Sequence, residues 1–152
     1  NVAKLARSQG AAILPEPEVG GLNAAVMAGV HALAEAGAPR MLIVPGDLPL
    51  LAPDVCDDFL AQADARGGFA IASDFHGCGT NAMAFPADAA PRFRYGPGSL
   101  ALHAAQLPLE TARVDRIELA LDIDTPEDLA RASVPESFFA IKGGRHDRME
   151  PS

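Results

Sequence analysis

Three carboxylates stand where apolar segments stop. Asp47 follows the continuous apolar run Met41 to Val44, within Pro45-Gly46-Asp47-Leu48-Pro49. A carboxylate just past a buried strand points into the crevice above the strand ends, where it can ligate magnesium beside a nucleotide. It can equally close a turn on its own backbone. Asp122 and Asp124 flank Ile123 directly after the apolar segment Ile117 to Leu121. Residues two apart on an extended chain face the same side, so both carboxylates can converge on one cation. Asp124 alone would simply favour the N-terminus of a following helix. With Asp47 also at a strand end, the metal reading is the stronger one.

Two glycine-bearing segments supply the opposite chemistry. In Gly77-Cys78-Gly79-Thr80-Asn81 the glycines expose backbone amides, and Thr80 and Asn81 add side-chain donors. That set suits a phosphate or a carboxylate, and a plain hairpin turn is the competing account. Tyr95-Gly96-Pro97-Gly98-Ser99 opens a helix, where free amides and Ser99 either receive an anion or cap the helix after a tight turn. Gly20-Gly21-Leu22-Asn23 opens another helix and could hold a nucleotide. Of the four histidines, His31, His103 and His146 read as structural or solvated, and His76 lies in the glycine loop. No Ser-His-Asp or Cys-His spacing stands out, and there is no Walker A motif.

The apolar pattern reads as a scaffold for these residues. Val2 to Ser8 reads as a helix, Ala11 to Leu14 as a short strand, and Pro15 to Gly21 as a turn-rich loop. Leu22, Val26, Gly29, Val30 and Leu33 recur at helical steps, predicting a helix from Leu22 to Ala36. Met41 to Val44 is a strand buried on both faces, and Pro53 sets the first turn of a helix continuing from Asp54 to Arg66. Phe69 to Ser73, Asn81 to Phe85, Leu109 to Val114 and Ile117 to Leu121 read as strands, and Leu100 to Gln106 as a short helix. Thr125 caps a helix from Pro126 to about Ala132, with Asp128 completing a capping box. Helices alternating with strands imply right-handed βαβ units in a three-layer α/β domain, its sheet mainly parallel with a mixed edge. The domain is expected over residues 1–134, followed by a polar tail over 135–152. The opening helix lacks the strand that would normally precede it, so the chain is expected to lack its true N-terminus.

Composition narrows the possible roles. The 152 residues suit one domain, and 49% hydrophobic with 21% charged residues is a globular balance. A net charge of −8 argues against nucleic-acid binding, which rests on a basic face. No run approaches the roughly 20 apolar residues of a membrane helix, so no membrane partner is expected. Asn1 to Gly10 lacks the apolar core of a signal peptide. Two cysteines, Cys56 and Cys78, form neither a metal pair nor a disulfide framework, which fits the cytoplasm. Abundant alanine, with seven Phe, one Tyr and no Trp, suits helices packed closely on a sheet.

Taken together, Gly21-Leu22-Asn23-Ala24-Ala25, Pro45-Gly46-Asp47-Leu48-Pro49-Leu50, Gly79-Thr80-Asn81, Tyr95-Gly96-Pro97-Gly98-Ser99 and Leu121-Asp122-Ile123-Asp124-Thr125-Pro126 follow the order and approximate spacing of a known family. From roughly Gly20 to Leu129 the chain resembles the 2-phospholactate and phosphoenolpyruvate guanylyltransferases of coenzyme F-420 biosynthesis. The resemblance implies a Rossmann-like, nucleotide-diphospho-sugar transferase-like fold. It implies transfer of GMP from GTP to 2-phospholactate, phosphoenolpyruvate or 3-phosphoglycerate, with release of pyrophosphate. By the same resemblance Asp47, Asp122 and Asp124 would take the catalytic magnesium-binding roles. Thr80, Asn81, Gly96 and Ser99 would hold the acid, and Gly21, Leu22 and Asn23 would lie along the guanine and ribose. The protein would act as a monomer or homodimer. The family's first strand and its basic triphosphate loop have no counterpart here. A molybdenum-cofactor-type nucleotidyltransferase and a non-catalytic nucleotide-binding remnant are the alternatives.

Overall fold

A computed structural model describes residues 2–132; the expected tail over 135–152 and His146 lie outside them. The sheet has four strands in the order β1-β3-β2-β4, namely β1 (Arg40–Ile43), β2 (Ala70–Ser73), β3 (Thr80–Pro86) and β4 (Ala112–Arg113). β3 runs antiparallel to both β1 and β2, and β4 is parallel to β2. Three strands therefore point one way and β3 alone runs against them, so the sheet is mixed as expected, but two of its three pairings are antiparallel where a mainly parallel sheet was expected. The reversed strand occupies the centre of the sheet, whereas a mixed edge was expected.

Alternation along the strands builds three layers. Ala82 and Ala84 of β3, with Ala70 and Ala72 of β2, face one side and pack with Phe59, Val55 and Leu119. These come from the helices α3 (Pro53–Asp64) and α5 (Ile117–Ala120). Four small side chains let the fully buried Phe59 ring approach the strands closely. On the other face Ile71, Met83, Phe85 and Met41 meet Val30 of α2 (Gly21–Glu35), together with Phe93 and Leu107. Leu100 of α4 (Ser99–Ala104) packs against the same cluster. β1 has both faces covered although it lies at the sheet edge, Leu42 joining the first cluster and Ile43 the second.

Most of the expected elements form, with α1 spanning Val2–Ser8 and α6 spanning Pro126–Ala132. At the start of α6 the Thr125 and Asp128 main-chain N–H groups each donate to the other residue's side chain, at 2.9 and 3.2 Å, which is the expected capping box. Two strand expectations fail. Ala11 to Leu14 is irregular and pairs with no strand, because it lies outside the sheet and ends in the Pro15 and Pro17 segment. Ile117–Ala120 is a helical turn, not a strand. Its apolar run is short enough to serve either geometry. The turn is held to α3 by Arg116, which donates to both oxygens of Glu118, at 2.7 and 3.2 Å, and to Asp58 at 3.0 Å. These contacts hold the Glu118 carboxyl below its ordinary pKa.

Candidate functional site

The strands that point the same way end on one side of the sheet, and a cleft of about 380 Å³ opens there. Ile43 and Val44 bring β1 to its floor, and Asp47 follows within the Pro45 turn. β3 begins at this end because it runs in the opposite direction, so Thr80 and Asn81 meet the residues that leave β1 and β2. Its register against β2 shifts between Ala72, which pairs with Ala82, and Ser73, which pairs with Thr80. Consecutive residues of a regular strand point to opposite faces. A bulge at this point re-aims the chain, and both Thr80 and Asn81 line the cleft.

The carboxylates are brought together by backbone. The Ile123 N–H donates to the Asp47 carbonyl at 3.2 Å, clamping the two acidic segments side by side. The Asn81 side-chain amide donates to the Ala120 carbonyl at 3.2 Å and so holds the end of α5 from which Asp122 departs. Asp47, Asp122 and Asp124 all line the cleft, as does Asp74, directly after β2. Burial, first of all, pushes the Asp122 carboxyl above its ordinary pKa; its own main-chain hydrogen bond opposes this, while Asp124, Asp47 and Asp74 add repulsion. Among the described residues no three His, Cys, Asp or Glu side chains enclose a metal position by themselves.

Asp74 also builds the neighbouring loop. Its Oδ1 accepts the Cys78 N–H at 2.8 Å, and its main-chain N–H donates to the Gly79 carbonyl at 3.1 Å. A Cβ at Gly79 would stand 2.7 Å from Asp74 Oδ2, so the loop closes on a residue with no side chain. The loop is thus an aspartate-closed turn, and its open end delivers Thr80 to the cleft.

The donor side comes from β3 and the residues leading into α4. Thr80 and Ser99 are both buried, and the Thr80 N–H donates to Ser99 Oγ at 2.9 Å. Gly96, with φ at +126°, turns the chain so that its carbonyl accepts the Ser99 N–H at 3.1 Å. Gly96 and Ser99 line the cleft as expected. Tyr95 lines it too, and burial pushes its phenol up to about 12.

The nucleotide-side residues divide. Leu22, at the start of α2, lines the cleft, and Gly21 and Asn23 do not. Asn23 is occupied elsewhere: its Oδ1 accepts the Tyr95 N–H at 2.7 Å, and its Nδ2 donates to the Tyr95 carbonyl at 3.4 Å. That side chain pins the 95–99 segment to α2. Gly20 carries the tight approach at this helix start, with φ at +110° and a hypothetical Cβ only 2.6 Å from the Ala24 Cβ.

Of the two readings open for His103, structural or solvated, the structural one holds. It is fully buried, and its ring is held between the main-chain N–H of Arg94 and the hydroxyl of Thr80. No spacing in the sequence signals this, because His103 and its two partners come from three different segments.

Comparison with known proteins identifies the family of the chain. The model of the family described as MobA-like NTP transferase domain matches residues 1–107. Among curated relatives, a phosphoenolpyruvate guanylyltransferase of Sphaerobacter thermophilus is 41% identical over 133 residues, covering 84% of this chain and 62% of its own length. One of the same name from Rubrobacter xylanophilus is 38% identical over 133 residues, covering 86% and 64%. A 3-phospho-D-glycerate guanylyltransferase of Phenylobacterium zucineum is 38% identical over 130 residues, covering 82% and 59%. The chain thus spans about three fifths of the length of these relatives.

Proposed function

The chain belongs to the MobA-like NTP transferase domain family, and from that footing we propose that it is a guanylyltransferase, moving GMP from GTP onto a small phosphorylated acid with release of pyrophosphate. One observation carries the reading: a single cleft joins the carboxylates of Asp47, Asp122 and Asp124 to the hydroxyl-bearing residues Thr80 and Ser99. The names of the relatives support GTP as donor and phosphoenolpyruvate or 3-phospho-D-glycerate as acceptor. 2-Phospholactate, which the sequence resemblance implies, completes the set, and coenzyme F-420 biosynthesis in the cytoplasm is the setting proposed.

Magnesium accepts one or two protein carboxylates together with phosphate oxygens and water. One or two of Asp47, Asp122 and Asp124, which share one cleft, would ligate such an ion, the rest of its shell coming from phosphate oxygens and water. When bound there, the ion would offset the charge of the phosphates beside four carboxylates. The chain's own groups do the rest. Thr80 and Ser99 would hold the carboxylate or phosphate of the acid, with Gly96 leaving room for its approach. Leu22 would lie along the nucleoside, and Asn23 would act at one remove by fixing Tyr95. An oxygen of the acid's phosphate attacks the α-phosphorus of GTP, one P–O bond forming as the bond to pyrophosphate breaks. A phosphate is already a competent nucleophile, so no side-chain base is required. Rate enhancement would come from alignment and fixed dipoles.

The test is substitution of Asp47 or Asp122 by alanine in the full gene product, with pyrophosphate release as the assay. Loss of magnesium-dependent turnover in a folded variant is the expected result. Near-normal turnover in either variant overturns the assignment.

A further inference from the structure

His103 stands 23 residues beyond Thr80, and the fold seats its imidazole directly behind the Thr80 hydroxyl. Nε2 lies 2.8 Å from the Arg94 main-chain nitrogen. An amide N–H only donates, so Nε2 accepts and carries no proton. The proton of a neutral ring is then on Nδ1, which lies 2.9 Å from Thr80 Oγ1. Nδ1–H donates and the threonine oxygen accepts. Burial lowers the basicity of the ring, in keeping with the neutral form.

This bond has a consequence for the hydroxyl. Its oxygen already accepts from His103, and among the described residues the imidazole is its only hydrogen-bond partner. The hydroxyl proton is left for whatever enters the cleft that Thr80 lines. Ser99 is treated in the same way: its Oγ accepts the Thr80 N–H, and among the described residues its own proton is uncommitted. Two buried hydroxyls are thereby turned into donors, the arrangement suited to an anionic oxygen. The Tyr95 ring stands edge-on to the imidazole, with centroids 4.9 Å apart, and restrains it from the side.

We propose that His103 is a positioning residue for the acceptor acid, holding the Thr80 hydroxyl as a hydrogen-bond donor to the carboxylate or phosphate of that substrate. The inference rests on the assignment of Thr80 to the acid under the proposed function. It gives a role to a histidine that touches neither substrate nor metal.

The first arm of the test is independent of catalysis. Long-range 1H–15N correlation on the unsubstituted protein is expected to show His103 as the neutral Nδ1–H tautomer; an Nε2–H or charged ring overturns the inference by itself. The second arm is a double-mutant cycle read as KM for the acid and, separately, for GTP. His103→Gln can preserve the acceptor toward Arg94 and loses the donor toward Thr80, whereas His103→Asn can preserve the donor. Thr80→Val and His103→Gln are each expected to raise the acid KM about tenfold, the loss typical of a hydrogen bond to a charged group, with the GTP KM unchanged. The double variant is expected to be no worse than Thr80→Val, and His103→Asn to recover most of the acid affinity. Full additivity, or equal damage from Gln and Asn, overturns the positioning role alone. A neutral Thr80→Val overturns the acid assignment and the inference together.

Discussion

Replacing Ser99 by alanine separates the observed role of its hydroxyl from the proposed one. Ser99 is 2% exposed, and its Oγ accepts the Thr80 N–H at 2.9 Å. Without the oxygen that buried N–H loses its partner, a change that costs about 1–3 kcal/mol. For a domain of this size each kcal/mol moves the melting temperature by about 2–4 °C. The variant without ligands is therefore expected to melt about 2–12 °C lower. Under the proposed function the same substitution removes a donor to the acid, and a hydrogen bond to a charged group is worth about 1.5–3 kcal/mol. That corresponds to a fall of about 10- to 150-fold in kcat/KM for the acid. Differential scanning calorimetry and initial rates at saturating GTP measure the two effects separately. An unchanged melting temperature would refute the Thr80 hydrogen bond as a stabilising contact. An unchanged acid kcat/KM would refute the placement of the acid against Ser99.

Other perturbations probe different links. Asp122→Asn is expected to abolish turnover yet stabilise the protein in the absence of divalent cations. The folded-state pKa of Asp122 is raised, so its favourable contribution is complete below the unfolded value of about 3.9 and is lost as pH rises through the folded one. The excess stability of the variant should thus be present at neutral pH and vanish on acidification toward about pH 4, as thermal melts across pH would reveal. Phe59→Ala empties a fully buried site between α3 and the alanine face of the sheet. It is expected to cost about 3–5 kcal/mol in urea unfolding. Asn23→Ala releases the Tyr95 main chain. It should weaken acid binding more than GTP binding, by about 2- to 12-fold for one good hydrogen bond, as separate KM determinations would show.

The acidic part of the cleft was legible because its residues follow apolar segments. Asp47 is placed by β1 and its proline turn, and Asp122 and Asp124 share the cleft as their two-residue spacing suggests. The segment leading to that pair is nevertheless α5, held by Arg116 contacts that an apolar pattern does not report. Periodicity found α2, and a proline start and a capping box, both local signals, found α3 and α6. The reversed direction of β3 was not legible, since strand order and direction are set by pairing between distant segments. The bulge that lets Thr80 and Asn81 share the cleft belongs to the same class. The bond between the Asn23 side chain and the Tyr95 main chain, across 72 residues of sequence, was not legible either. The contacts of Asp74 and His103 were not legible for that reason too, because they form only once the loops around β3 have closed.

Pyrophosphate release by the full gene product tests the central claim most directly. GTP would be supplied with phosphoenolpyruvate, 3-phosphoglycerate or 2-phospholactate in turn, with and without magnesium. Release with GTP and one acid, absent when metal is withheld, is the predicted result and identifies the acceptor. No release with any of the three, from folded protein, would contradict guanylyl transfer to a phosphorylated acid as the function of this cleft.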